Sequence, residues 1–311
     1  MSAKNPLMAI AVVSCTAFGS SAYAGQDMKV MAGLRVSLQT RSREESVMIV
    51  VVALLAVAEP APLGLVPFSS PESIARLERS KAKADFFVFA NQFEGQVHGG
   101  MRGPATATVV LNALRADDTK IEKPRDTSHI PAEYVPLIPK QFDPFFKRYT
   151  QDTFVDDARF QKVKTRDTFY GKPAVPGQKP DPGIQLRQLG DVLVNYGLDV
   201  QVRVVDDALT GDREKTAKAE IAANLAHAGD FVIVNYTRKA LGQNGGGHIS
   251  PLAAYDEAGD SFLVLDVNPN DGKRWSWVPA SALFAAMRTK DTIENRGYLL
   301  VHEGAAAKGA P

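Results

Sequence analysis

Apolar residues recur with helical spacing in separate segments of the first two thirds of the chain and with strand spacing in the last third. Ser70-Pro71-Glu72, followed by a mixed run to Lys83, predicts a helix with serine at the N-cap and proline at its first position. Residues 104–115 (PATATVVLNALR) predict a second helix, again opened by a proline. Its nearly continuous apolar content predicts burial all round. Helical spacing returns at Ile184–Tyr196, where Leu186, Leu189, Val192 and Leu193 share a face, and at Ala217–Ala228. Residues 117–183 between them are rich in Pro, Lys and Asp and have little periodicity. They predict short helices and ordered loops, which carry binding surface rather than core.

From residue 231 onward the period changes. Residues 231–236, 248–255, 261–267 and 297–301 are β-branched or aromatic runs bounded by turn signals. Glu257-Ala-Gly259-Asp260 predicts a hairpin turn, and Pro279–Met287 a short helix before the last strand. Helices first and antiparallel strands after them is the α+β pattern.

The N-terminus alters the expected extent of the folded chain. Lys4, the apolar run from Leu7 to Phe18 and Ser-Ser-Ala-Tyr-Ala at 20–24 read as a signal peptide covering 1–24. A second pattern follows, with Arg35, Arg41 and Arg43 ahead of the apolar run Val47–Ala58, which is too short to span a bilayer and would make 1–58 the export segment. Val12-Val13-Ser14-Cys15 loosely matches a lipoprotein box, so anchoring through Cys15 is a third reading. All three imply export, with the periplasm as the destination. One domain is then expected over 59–305, with no membrane span in the mature chain and a disordered tail at 306–311.

Composition narrows the chemistry. Lys and Arg number 36 against 35 Asp and Glu, so no overall basic field favours nucleic acid. Cys15 is the only cysteine, and it lies in the segment expected to be removed or lipidated. The mature domain is therefore expected to have no disulfide, cysteine metal cluster or thiolate nucleophile. His98, His129, His227 and His302 show no metal-ligand spacing.

Three positions nevertheless suggest an acyl-transfer site. Gly245-Gly246-Gly247 delivers His248 at the start of a strand, and Asp266 ends the next one. Pairing these strands as a hairpin with residue numbers summing to 514 places His248 opposite Asp266, where a carboxylate can orient a general base. The glycine-rich turn 99–103 opens a helix whose free amides favour an anionic nucleophile or oxyanion. Gln96, six residues before position 102, offers an amide donor for that oxyanion. At position 102 itself stands Arg102, which stays protonated and cannot attack.

Gln96, Arg102-Gly103-Pro104, Val110-Leu-Asn-Ala-Leu114, Gly247-His248-Ile-Ser250-Pro251 and Leu265-Asp266-Val267 together resemble the phytochelatin synthase family, particularly its short bacterial members. The resemblance runs from about Phe68 to Val301. It implies a papain-like fold, a helical half with a central nucleophile helix packed on an antiparallel sheet. It also implies action on glutathione, with attack on the bond between cysteine and glycine, glycine release, and transfer or hydrolysis of the γ-glutamylcysteinyl group by a Cys-His-Asp triad. Arg102 matches the family's cysteine, His248 and Asp266 its other two members, Gln96 its oxyanion donor. Arg296 matches its basic residue for a substrate carboxylate. Heavy-metal ions such as cadmium and zinc enter as glutathione thiolates rather than as a tightly bound cofactor, and the resemblance allows a homodimer. Two readings of the chain stay open: an acyltransferase or peptidase by descent, and a pseudoenzyme that binds glutathione or γ-glutamyl peptides without chemistry. A papain-fold peptidase with another substrate is a third, and it needs the same missing thiol.

Overall fold

A computed structural model of the chain describes residues 64–127, 130–270 and 275–304. Both export patterns, Cys15, His129 and the tail lie outside these residues.

β1 (Val66–Pro67) leads into α1 (Pro71–Arg79), whose N-cap Ser70 accepts from the Ser73 amide with Pro71 just inside. This start follows the sequence signal, but the helix stops at Arg79 rather than running to Lys83. The Ser80 amide and hydroxyl both bond back to the Arg76 carbonyl and close the last turn. α2 (Phe86–Gln92) has no counterpart in the sequence reading: FFVFANQ is too short and too uniformly apolar to show a period. α3 (Arg102–Leu114) begins two residues earlier than its proline suggests, so Pro104 occupies the third helical position rather than the first. Gly103–Ala113 is buried throughout, which makes α3 the central helix of its layer. Three short helices follow in the proline-rich stretch, α4 (Gln151–Asp156), α5 (Ala158–Gln161) and α6 (Arg166–Phe169), each started by a Thr or Asp N-cap.

α7 (Leu186–Asn195) buries Leu186, Leu189, Val192 and Leu193 as their spacing predicts. It precedes β2 (Leu198–Val204), an edge strand that the sequence reading missed although LDVQVRV alternates strictly between apolar and polar residues. α8 (Asp212–Leu225) lies five residues upstream of its expected start, because the polar first turn masks the period. β3 (Asp230–Thr237), β4 (Gly247–Asp256) and β5 (Ser261–Leu265) fall on the apolar runs. β6 (Trp275–Pro279) was not anticipated, α9 (Ala280–Met287) was, and β7 (Gly297–Glu303) closes the sheet.

All seven strands form one antiparallel sheet in the order β1-β6-β5-β4-β3-β7-β2. The fold is α+β, but helices cover both faces rather than one. Ile233, Ile249, Leu263 and Leu299 pack against the α3 and α7 layer. Val232, Val234, Val264 and Leu300 pack against α8 and α9 on the other side. Two covered faces explain why β3 and β5 read as continuous apolar runs instead of alternating ones.

The β4–β5 register departs from the expected one. Leu252 pairs with Val264 and Asp256 with Ser261, with a bulge between Leu252 and Ala254. Residue sums are therefore 516 and 517, not 514, and Asp266 lies one residue beyond the end of β5. His248 and Asp266 are not direct cross-strand partners. With the local sum of 516, position 266 falls level with Ser250, two residues along β4 from His248, which is the diagonal neighbour relation of a sheet.

Candidate active site

The diagonal relation still brings the two side chains together. His248 Nε2 lies 2.7 Å from Asp266 Oδ1, and both residues are buried. With the carboxylate accepting from Nε2, the tautomer leaves Nδ1 as the unprotonated nitrogen. Asp266 Oδ1 also accepts from the Asn268 amide at 2.7 Å, and Oδ2 accepts from Arg238 and, at 3.3 Å, from the Tyr236 hydroxyl. The Tyr236 ring meets the imidazole edge to face at 5.7 Å.

Charge follows from this packing. Burial lowers the His248 pKa; the hydrogen bond and charge of Asp266 oppose that, while Arg238 and Arg102 reinforce it, and the net shift is downward. The imidazole is therefore neutral at neutral pH. Burial alone would raise the Asp266 pKa, but its bonds and charge interactions with His248, Arg238 and the Asn268 amide hold it below the usual carboxylate range. Burial, and next the Asp266 charge, push the Tyr236 hydroxyl well up, so it stays a donor.

α3 supplies the other half. Its N-terminus is set against β4 by the Thr106 hydroxyl, which donates to the Ile249 carbonyl at 3.0 Å, and by the absence of a side chain at Gly103, where a Cβ would collide with Ile184. Arg102 is the first helical residue, with no acidic residue in the first turn. Its guanidinium makes one long bond, 3.4 Å to the Gly99 carbonyl, and no ion pair among the described residues. Burial lowers its pKa, with Asp291 opposing and Arg296 adding to the effect. It remains a cation all the same.

Gln96 reaches the same end of the sheet. Its side-chain amide nitrogen donates to the His98 carbonyl at 2.9 Å, while its side-chain oxygen is buried without a partner. The Gln96 backbone amide bonds the Val267 carbonyl at 2.8 Å, tying this loop to the residue after Asp266. Gln151, at the start of α4, clamps the loop from the other side through the Val97 amide and the Gly95 carbonyl.

Arg296, just ahead of β7, is 8% exposed. It bonds the Thr289 and Lys290 carbonyls and pairs with Asp291 at 3.1 Å, and Asp291 also accepts from Asn235. Its guanidinium fills the space left by Gly247, where a Cβ would lie 2.8 Å from Nη2. The structure thus gathers Arg102, His248, Asp266, Gln96 and Arg296 at one end of the sheet. His98 accepts from the Gly100 amide, His227 bonds the Ala223 carbonyl in the last turn of α8, and His302 faces Asp199 at 3.4 Å. Among the described residues no cluster of three His, Cys, Asp or Glu could hold a metal, and no helix is long and apolar enough to cross a membrane.

Tyr236, Arg238 and Asp291 are site residues that the sequence reading did not single out. Arg238 is the one with a signal: an arginine directly after the largely apolar strand β3, seven residues before the glycines that lead to His248.

The family model described as phytochelatin synthase matches residues 57–128 and 140–298. A curated protein named glutathione gamma-glutamylcysteinyltransferase 3, from Lotus japonicus, is 27% identical over 223 residues, covering 70% of this chain and 37% of the relative. Glutathione gamma-glutamylcysteinyltransferase 1 of the same plant is 37% identical over 76 residues, covering 22% of this chain and 14% of its own. The protein of the same name from Triticum aestivum is 35% identical over 82 residues, covering 24% and 15%. The chain thus spans well under half the length of the curated relatives it matches. Because the family model covers most of its length on both sides of the site, the chain belongs to the phytochelatin synthase family.

Proposed function

We propose that this chain holds a glutathione-type γ-glutamyl peptide at a papain-like site whose general base is in place and whose nucleophile is not, so that it binds such peptides without cleaving them. The observation that carries this reading is the buried His248–Asp266 pair, 2.7 Å apart, beside a helix start occupied by Arg102. In a related site with a cysteine at that position, the helix amides would favour the thiolate and the imidazole would take its proton. The thiolate would then attack the carbonyl between cysteine and glycine, and the imidazolium would return the proton to departing glycine.

Here each residue but one retains its part. Asp266 fixes the tautomer and would stabilise a charged imidazole. Gln96 would donate to the oxyanion after turning from His98. Arg296 would face a substrate carboxylate through its unpartnered Nε. Arg102 offers neither a nucleophile nor a proton acceptor, and its charge opposes the imidazolium that acyl transfer requires. Heavy metals would arrive as thiolates of the peptide, as substrate rather than as resident cofactor. Export to the periplasm by one of the two leader patterns, or anchoring at Cys15, completes the proposal.

The test is glutathione binding by calorimetry alongside glycine release. Binding without glycine above background is the expected result. Turnover at a rate typical of active acyltransferases, or no binding of any γ-glutamyl peptide, overturns the reading.

A further inference from the structure

We propose that Arg102 turns the nucleophile's position into a carboxylate position, so that the site recognises a γ-glutamyl dipeptide ending in a free carboxylate at the carbon that related enzymes attack. This rests on the γ-glutamyl reading above and adds which peptide is preferred.

The argument begins with charge. Arg238 pairs with Asp266 and Arg296 with Asp291, while His248 is neutral. Among the described residues of the site that leaves three guanidinium groups against two carboxylates. The unmatched one is Arg102, which is partly buried, has no ion pair among the described residues and touches only a carbonyl at 3.4 Å. Removing a cation from water without an anion is costly, so the site as built favours an incoming anion. Arg102 lies against Gly183, whose added Cβ would sit 3.6 Å from Nη2, so residue 183 puts no side chain over that end of the guanidinium.

Two further sources of donors lie near Arg102. α3 is thirteen residues long, has no acid in its first turn, and starts at Arg102 itself. The Arg102 and Gly103 amides have no acceptor within the helix, and Pro104 has no N–H to add. Arg296, more than nine-tenths buried and close enough to depress the Arg102 pKa, keeps an unpartnered Nε–H.

Chemistry then identifies the anion. The atom a cysteine at position 102 would attack is the carbonyl carbon that links cysteine to glycine. In a peptide lacking the glycine, that carbon is a carboxylate. A guanidinium in the nucleophile's place makes a charge-assisted bond to this carboxylate and none of comparable strength to an uncharged amide. A site once suited to the intact tripeptide thereby selects the shortened acid.

The experiment compares γ-glutamylcysteine with its C-terminal amide, two ligands of equal size that differ in this one charge, under reducing conditions on the full chain, with glutathione as reference. The acid is expected to bind about tenfold tighter than the amide or better, the value of one charge-assisted bond. Arg102→Gln should bring the two within about twofold, Arg102→Lys should keep part of the preference, and added salt should weaken the acid but not the amide. A thermal midpoint for each variant checks that it folds. Equal affinity for acid and amide in the unchanged chain, or a preference that survives Arg102→Gln, overturns the inference while leaving the γ-glutamyl site standing. Failure of all three peptides to bind removes both.

Discussion

The sheet side of the site is charge-matched: His248 and Arg238 share Asp266, Tyr236 donates to the same carboxylate, and Arg296 holds Asp291. The helix side is not. Arg102 stands at the start of α3 with one long bond to a carbonyl, adding positive charge where the helix amides already supply it. General-base and nucleophile positions need opposite electrostatics from their surroundings, and only the first has what it needs. One residue accounts for the difference, so the comparison can be tested residue by residue.

The largest effect is expected from Arg102→Cys. It removes the mismatched cation and supplies a thiol that the helix start and His248 activate. Glycine release from glutathione should rise from background, iodoacetamide should alkylate the thiol faster than free cysteine near neutral pH, and adding His248→Ala should lower glycine release about a hundredfold or more. A thiol of ordinary reactivity with no glycine would mean that the loop at 97–101, and not Arg102 alone, separates the two sides.

Next in size is Asp266→Ala. It breaks the buried ion pair between Arg238 and Asp266, a change that costs about 3–5 kcal/mol. Denaturant unfolding measures it, and a loss below about 1 kcal/mol would show the sheet side to be less tightly matched than its distances imply.

A pH dependence sharpens the contrast further. The His248 pKa in the folded state lies below its ordinary 6.5, so the unfolded chain takes up the proton first. Its contribution to stability is present above 6.5 and is lost as pH falls through and below that value. Asp266, held below its ordinary 3.8, adds a loss in the same direction at lower pH. Between pH 7.5 and 5 the unfolding free energy should drop with a slope of at most about 1.4 kcal/mol per pH unit for this one site, and His248→Gln should flatten that drop. An unchanged slope in the variant would place the titration elsewhere.

The smallest effect is Arg102→Met. Replacing an unmatched, partly buried cation by an apolar side chain of similar length should stabilise the chain by about 1 kcal/mol, a rise of roughly 2–4 °C in thermal midpoint for a domain of this size. A fall would show that the fold already satisfies the Arg102 charge.

The sequence by itself determined the elements whose signals are local. Ser70 and Pro71 start α1, Leu186 to Leu193 mark the inner face of α7, and the apolar runs mark β3, β4 and β5. His248, Asp266, Gln96 and the helix start at Arg102 stood out as candidates from glycine turns and spacing, and Arg296 from the family resemblance. β2 was open to a sequence reading, since LDVQVRV alternates strictly between apolar and polar residues. Tertiary structure decided the rest. The five-residue WSWVP of β6 is too short to show a period and is placed by its ladder with β5. The bulge at Leu252–Ala254 set the β4–β5 register, which no local pattern encodes, and it moved Asp266 from opposite His248 to a diagonal position that keeps the 2.7 Å contact. Arg238 and Tyr236 reach Asp266 across 28 and 30 residues of chain. A partner so distant in sequence is chosen by which strands the sheet places side by side and by the cost of leaving a buried charge unpaired, neither of which is written at any single position.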